Sequence, residues 1–238
     1  LVVISIISLL IALLLPALAK SREAAILAME VSNARQFTIA IVAYTNDFRS
    51  HYPDGRRNHS PSVDDYAWYK HATWLAIKSY LSKDDVMVCE SWKTEPRYYG
   101  KWYRTFGARI GTADSDWPSG PNTGDCYLGW NVWVGRSDHL RYNNPGVTTY
   151  KSPMKVGEAD AHSIALTCFN WSWSGGHQVP HTDGLAFSSA SGEWTDVKAL
   201  VGLTVARLDG SAGFRPGSQL IRYRTHNNSV FYPGIVPR

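Results

Sequence analysis

The pattern of apolar and polar positions divides the chain unequally. From Leu1 to Ala19 there is no charged residue, and nearly every side chain is Leu, Ile, Val or Ala. From Lys20 onward polar residues enter, but the apolar ones keep a helical spacing. Leu27, Val31, Ala34, Thr38, Ile41, Thr45 and Phe48 recur four and three apart, a narrow stripe of near-heptad period. Arg22, Glu23, Glu30, Asn33 and Arg35 fall mainly outside it. The breaker Tyr52-Pro53-Asp54-Gly55 closes the pattern. The spacing predicts one helix over residues 1–52, about 80 Å long at ~1.5 Å rise per residue. Its first half is apolar on all sides, and its second half has one face with which to cover a globular head, residues 53–238.

The head carries shorter signals. A helix is expected over Tyr66–Leu81, with Asp64 or Asp65 as its cap. Val86–Cys89 reads as a short strand, and Glu90–Asp125, rich in Gly, Pro, Trp and Tyr, as a long loop. Tyr127–Gly135 and Ser163–Phe169 read as strands. Leu200–Leu208 and Ser211–Phe214 flank Asp209-Gly210, a hairpin signal, and Ser229–Tyr232 suggests an edge strand. The expected class is α+β, a mostly antiparallel sheet lying on the amphipathic half of the helix.

Composition sharpens this. Of 238 residues, 44% are hydrophobic and 18% charged, with 10 Trp and 13 Tyr. That is the balance of a packed head, not a disordered one. The net charge of +4 is mild. Arg215, Arg222, Arg224 and Arg238 make a basic C-terminal stretch that reads as solvated surface. No basic stripe appears, so no nucleic-acid partner is expected.

The opening admits three readings. As an export signal it offers Ala17-Leu18-Ala19 as a cleavage pattern but no basic region ahead of the apolar run. As a plain anchor, nineteen helical residues span about 28 Å, close to one hydrocarbon core. Neither explains why the helical pattern continues far beyond Lys20.

The two-part helix with a proline inside its apolar half resembles the N-terminus of type IV pilins and pseudopilins. Leu1–Ala25 follows their text closely. Pro16 stands where that family keeps a kinking proline, and Lys20-Ser21-Arg22-Glu23-Ala24-Ala25 is similar to the stretch after the membrane-spanning part. By that alignment Leu1 falls inside the mature subunit, downstream of the family's prepilin processing site, its methylated first residue and its glutamate. Asn33-Ala34-Arg35-Gln36 with Tyr44-Thr45-Asn46-Asp47, Val88-Cys89, Gly129-Trp130-Asn131 and Val205–Ser211 resemble, in order, segments of large pilin-like proteins of planctomycete-type bacteria. In those a histidine stands roughly ten residues before the Asp-Gly. Here His177 and His181 lie further upstream, separated by an apparent insertion over Asp183–Lys198, and no role is carried onto either.

The resemblance implies a self-assembling subunit of a type IV pilus-like or pseudopilus-like filament. Its assembly helix would comprise Leu1, Val2, Val3, Ile4, Ile6, Ile7, Leu9, Leu10, Ile11, Leu13, Leu14, Leu15, Pro16 and Leu18. Its partners would be identical copies in a helical homo-oligomer, the inner membrane before assembly, and the pilus or type II secretion machinery. Its location would be an extracellular filament on the cell surface. Pro16 cannot donate to Ala12 and crowds its carbonyl, which predicts unwinding near residues 9–16 once assembled. The alternative is a membrane-anchored, monomeric surface protein that uses its Trp-rich head on a glycan or other ligand.

Candidate chemistry is sparse. No nucleophile elbow, zinc-protease, P-loop or dinucleotide fingerprint appears, so no enzyme is expected. His177 and His181 with Asp183 and Asp209, or Cys168 with His177, can be drawn as sites but supply no complete set of nucleophile, base and orienting group. Asp114, Asp116, Asn122 and Asp125 offer hard oxygen ligands in one loop, suited to Ca²⁺ as a cofactor, though Pro118 and Ser119 break the EF-hand spacing. The ordinary reading of such residues is turn formation. Of the three cysteines, Cys89 and Cys126 lie in loop-like sequence and are the expected disulfide, whereas Cys168 reads as a buried strand residue. The tryptophans Trp92, Trp102, Trp117, Trp130, Trp133, Trp171, Trp173 and Trp194 are assigned to core and subunit contacts before ligand stacking. Asn58-His59-Ser60, Asn170-Trp171-Ser172 and Asn227-Asn228-Ser229 match a glycosylation sequon.

Overall fold

The computed structural model describes residues 2–54, 68–93, 125–127, 129–135, 152–160, 163–168, 171–173, 176–179, 181, 188–190, 201–220, 223–224 and 230–231. Helix α1 runs unbroken from Val2 to Asp47, through Pro16. It ends before the Tyr52-Pro53 breaker, because Arg49 and Ser50 turn left-handed (φ 51° and 63°). The Ser50 amide then reaches back to the Thr45 carbonyl at 2.8 Å, which satisfies one of the last free acceptors of the helix. Tyr44 and Phe48 stack at 3.8 Å between ring centroids. The Tyr80 hydroxyl donates to Asp47 and ties the helix end to the next helix; that bond, with a smaller share from burial, pushes the phenol up to about 12.

The expected fold class holds: the long helix packs on a four-stranded antiparallel sheet. Strands β3 (Trp130–Val132), β4 (Ile164–Cys168), β8 (Gly202–Arg207) and β9 (Ala212–Pro216) lie in the order β3-β4-β8-β9. The hairpin β8–β9 forms at the Asp-Gly signal. Gly210 takes φ 80°, a conformation that costs glycine little, and the Asp209 carboxylate accepts from the Ser211 amide at 2.8 Å. Every residue of β4 is buried, as are β8 residues Gly202–Ala206. The sheet lies under α1, with β4 and β8 as its two inner strands.

The helical stripe keeps Ala34, Thr38, Ile41 and Thr45 from the expected set but is wider and shifted to one side of it. Glu30, Ala34, Phe37, Thr38, Ala40, Ile41, Tyr44 and Thr45 are the buried residues of α1, whereas Phe48 stays 43% exposed. Glu30, expected off the stripe, heads it. The larger side chains Phe37 and Tyr44 explain the shift: at heptad spacing with Ala34 and Ile41, they bury more apolar area than the set containing Val31 and Phe48.

Three smaller expectations change. The helix of Tyr66–Leu81 divides into strand β1 (Trp68–Lys70) and helix α2 (His71–Lys78). The strand is held by pairing with β2 (Asp125–Tyr127); Asp64 and Asp65 lie outside the described residues. Val86–Cys89 is not a strand. Asp84–Met87 forms a 3₁₀ turn, followed by the short helix α3 (Glu90–Lys93). Val86, Met87, Val88 and Cys89 are all buried, and an apolar run buried on every side has no period from which to choose strand over turn. Met87 and Val86 offer their carbonyls to the Gly129 amide (3.1 Å) and the Trp130 indole (3.1 Å) instead of to a ladder. Gly129 itself allows the close approach, since a Cβ there would stand 2.8 Å from the Cys89 nitrogen. Finally, Tyr127–Gly135 contributes only β3 to the main sheet. Strands β5 (Trp171–Trp173), β6 (Gly176–Val179) and β7 (Ser188–Ala190) make a second antiparallel sheet, and β10 (Tyr223–Arg224) pairs with β11 (Val230–Phe231), inside the expected edge strand.

Candidate functional site

Two features stand out, and both involve α1. The first is the N-terminal half of α1. Twelve large apolar side chains, from Val2 to Leu18, are 50 to 73% exposed. This is the one helix among the described residues long and apolar enough to cross a membrane, and none of that stretch is buried against the head. Residues 2–19 span about 27 Å, close to the ~30 Å of a hydrocarbon core. All the expected assembly residues from Val2 to Leu18 lie on it; Leu1 lies outside the described residues. An exposed apolar surface of this size marks a site of contact with lipid or protein.

The second feature is a buried polar cluster at the point where the helix meets the head. Glu30 is the first buried residue of α1. Cys89 lies just before α3, Cys168 ends β4, and His181 lies ahead of β8. All four side chains are fully buried. Their ligand-type atoms fall within 4.8 Å of one another. Glu30 Oε1 accepts from the Cys168 thiol at 2.6 Å and contacts His181 Nε2 at 2.8 Å. Cys168 Sγ lies 3.2 Å from His181 Nε2 and 2.8 Å from Cys89 Sγ. Neither Cys89 nor Cys168 is in a disulfide. Ser91, also buried, donates through its hydroxyl (2.5 Å) and its amide (3.3 Å) to Glu30 Oε2. Its Oγ is 3.3 Å from His181 Nδ1. One carboxylate oxygen is therefore held by α3 while the other faces the sulfurs and the imidazole.

Local structure aims these groups. Alternation along β4 puts Leu166 and Cys168 on one face, and the Cys168–Glu30 bond identifies that face as the one toward α1. His181 adopts φ 58°, uncommon for a residue with a Cβ. Its carbonyl accepts the Val201 amide at 2.8 Å, so the chain returns after residue 200 to the place it left at 181. The ring of Phe214 meets the imidazole edge-on at 5.3 Å.

Burial alone raises a carboxyl, but the His181 charge and the hydrogen bonds from His181, Cys168 and Ser91 outweigh it, and Glu30 is held down at about 2. Burial alone lowers an imidazole, but the Glu30 carboxylate and the Cys89 thiol lift His181 to about 10. Burial, then the neighbouring Cys89, pushes the Cys168 thiol well up. The cluster is thus a buried Glu30–His181 ion pair beside a Cys168 thiol that burial keeps protonated.

Other sequence candidates are not brought together. Asp209 is exposed in the hairpin turn, where it accepts from the Ser211 amide. His177 lies in β6, and Asp183 lies outside the described residues, as do Asp114, Asp116 and Asn122; Asp125 begins β2. Cys126 lies in β2 and its side chain is not described, whereas its expected partner Cys89 has its sulfur against Cys168. Trp130 and Trp133 are fully buried. Their indole nitrogens donate to Val86 and, at 3.0 Å, to Thr167, so these two serve the core as expected. The sequence reading missed Glu30, Ser91 and the part played by His181. A signal for Glu30 was available: the spacing Glu30-Ala34-Phe37-Ile41-Tyr44 places a carboxylate at the head of the buried stripe, where it needs a partner.

Comparison of the chain with protein-family models, curated proteins and solved structures gives no match. The functional reading therefore rests on the two features described.

Proposed function

We propose that this chain is the structural subunit of a type IV pilus-like or pseudopilus-like filament, held in a membrane by the apolar half of α1 and assembled through that same half. The observation behind the reading is the division of one continuous helix. It is closed against the sheet from Glu30 to Thr45 and bare from Val2 to Leu18. A simple anchor needs only the bare part. A helix that continues into the head couples the anchor rigidly to it, so copies packed side by side along their apolar halves present their heads in a fixed orientation. In lipid the helix satisfies its own backbone. Against exposure to water, covering twelve apolar side chains at about 25 cal/mol per Å² contributes on the order of 20 kcal/mol per subunit, whether lipid or neighbouring copies cover them, so transfer from membrane to filament leaves that term nearly unchanged. Heads repeating without closure give an open helical fibre.

Electron microscopy of the purified full-length protein, as detergent is removed, tests this. Fibres with a regular subunit repeat are the expected result, and removing residues 1–19 leaves a soluble, monomeric head. Dispersed single particles from the full-length chain would favour a monomeric anchored protein. Fibres formed by the truncated head would refute assembly through the helix.

A further inference from the structure

We infer that Glu30, Cys89, Cys168 and His181 bind one structural zinc-class divalent cation that fastens the base of the projecting helix to the head. This does not depend on whether the chain forms filaments.

The donor set identifies the cation class. Two sulfurs and an imidazole suit zinc, and a single carboxylate oxygen completes a four-coordinate site, whereas Ca²⁺ and Mg²⁺ take oxygen ligands. All four positions are filled by the protein and all are buried, the arrangement of a structural rather than a catalytic zinc. The four ligands come from four separate parts of the chain: α1, the segment before α3, the end of β4, and the residue preceding the return to β8. Chance burial of two thiols, an imidazole and a carboxylate in one space 4.8 Å across is costly, because a buried ion pair repays its desolvation only with excellent geometry. A cation offsets that cost directly.

The orientation fits as well. Ser91 occupies Glu30 Oε2 and leaves Oε1 facing the centre as a monodentate ligand. The same Ser91 oxygen lies beside the imidazole of His181, 3.3 Å from Nδ1 and 3.4 Å from Nε2, while Nε2 also contacts Glu30 Oε1 and Cys168 Sγ. Ligating carboxylates are held by outer hydrogen-bond partners, the part Ser91 plays for Glu30. Zinc bonds of ~2.0 to 2.3 Å imply tetrahedral edges of about 3.3 to 3.8 Å. The Glu30–Cys168, Glu30–His181, Cys89–Cys168 and Cys168–His181 separations are 2.6 to 3.2 Å. Entry of the ion therefore opens these four edges by about 0.3 to 1 Å, most between the two sulfurs, replacing ligand-to-ligand hydrogen bonds with metal bonds. Both thiols, and His181 if charged, release their protons to solvent.

The test uses the full-length chain in detergent, purified without chelator. Elemental analysis is expected to find zinc near one equivalent per chain. Protein that is unfolded, reduced, stripped and refolded with Co²⁺ is expected to show a thiolate-to-cobalt charge-transfer band and tetrahedral ligand-field bands. Cys126→Ser should keep that spectrum and Cys168→Ser should lose it. Because the latter can also fail to fold, Ser91→Ala supplies a milder check. It keeps all four ligands and should weaken zinc in competition with a chromophoric chelator by about 10- to 100-fold. The inference is overturned if refolded wild-type protein takes up neither zinc nor cobalt. It is equally overturned if mass spectrometry of the native protein finds a Cys89–Cys168 disulfide, or if Cys126→Ser is the variant that abolishes the spectrum.

Discussion

Replacing Phe37 with alanine probes the docking of helix and sheet, the contact that converts an anchor into a rigid stem. Phe37 is fully buried and shares one core with Ala34, Ile41, Trp130, Leu166, Leu203 and Ala206. Removing the ring from a site enclosed by both helix and sheet leaves a cavity that neither can easily fill, so Phe37→Ala should cost about 3–5 kcal/mol. At about 2–4 °C per kcal/mol for a domain of this size, a loss near 4 kcal/mol lowers the melting temperature by roughly 8–16 °C. Ile39, two residues along the same helix, is 52% exposed. Ile39→Ala should therefore change stability by less than about 0.5 kcal/mol. Near-ultraviolet circular dichroism of the full-length protein in detergent follows the melt through its tryptophans, including the buried Trp130 and Trp133. Equal losses for the two variants, or a larger one for Ile39→Ala, would show that a different face of α1 meets the sheet.

Two further outcomes follow from the buried polar groups. In metal-stripped protein, Glu30 is depressed to about 2, so its contribution is complete above the ordinary carboxyl range near 4.5 and fades as pH falls through about 2. His181 is raised to about 10, so its contribution is complete below about 6.5 and fades as pH rises through about 10. Denaturant midpoints should be highest near pH 5–6 and decline on both sides, and a flat profile from pH 6.5 to 10 would show that His181 is not held charged. The Thr204 hydroxyl in β8 is buried without a hydrogen-bond partner. Thr204→Val removes a desolvated polar group at nearly constant shape and should raise stability by about 1 kcal/mol in urea titration; a loss of that size would mean the hydroxyl is satisfied.

By itself, the sequence determined whatever depends on local order along the chain. An uncharged run too long for an ordinary core helix, followed by a heptad-like pattern, specifies one long helix with a bare half and a docked half. Asp209-Gly210 specifies a tight turn because glycine tolerates the left-handed conformation there. The alternating and apolar runs around Trp130, Ile164 and Val205 specify strands. Tertiary structure decided the rest, for an energetic reason in each case. The stripe of α1 kept Ala34, Thr38, Ile41 and Thr45 but widened toward Phe37 and Tyr44, because a helix buries the face that removes more apolar area from water. Val86–Cys89 became a turn because its carbonyls met donors from the segment beside β3. The cluster was invisible because Glu30, Cys89, Cys168 and His181 are separated by up to 151 positions. No local spacing encodes their meeting, which exists only after α1 lies on β4 and the chain has returned from His181 to Val201.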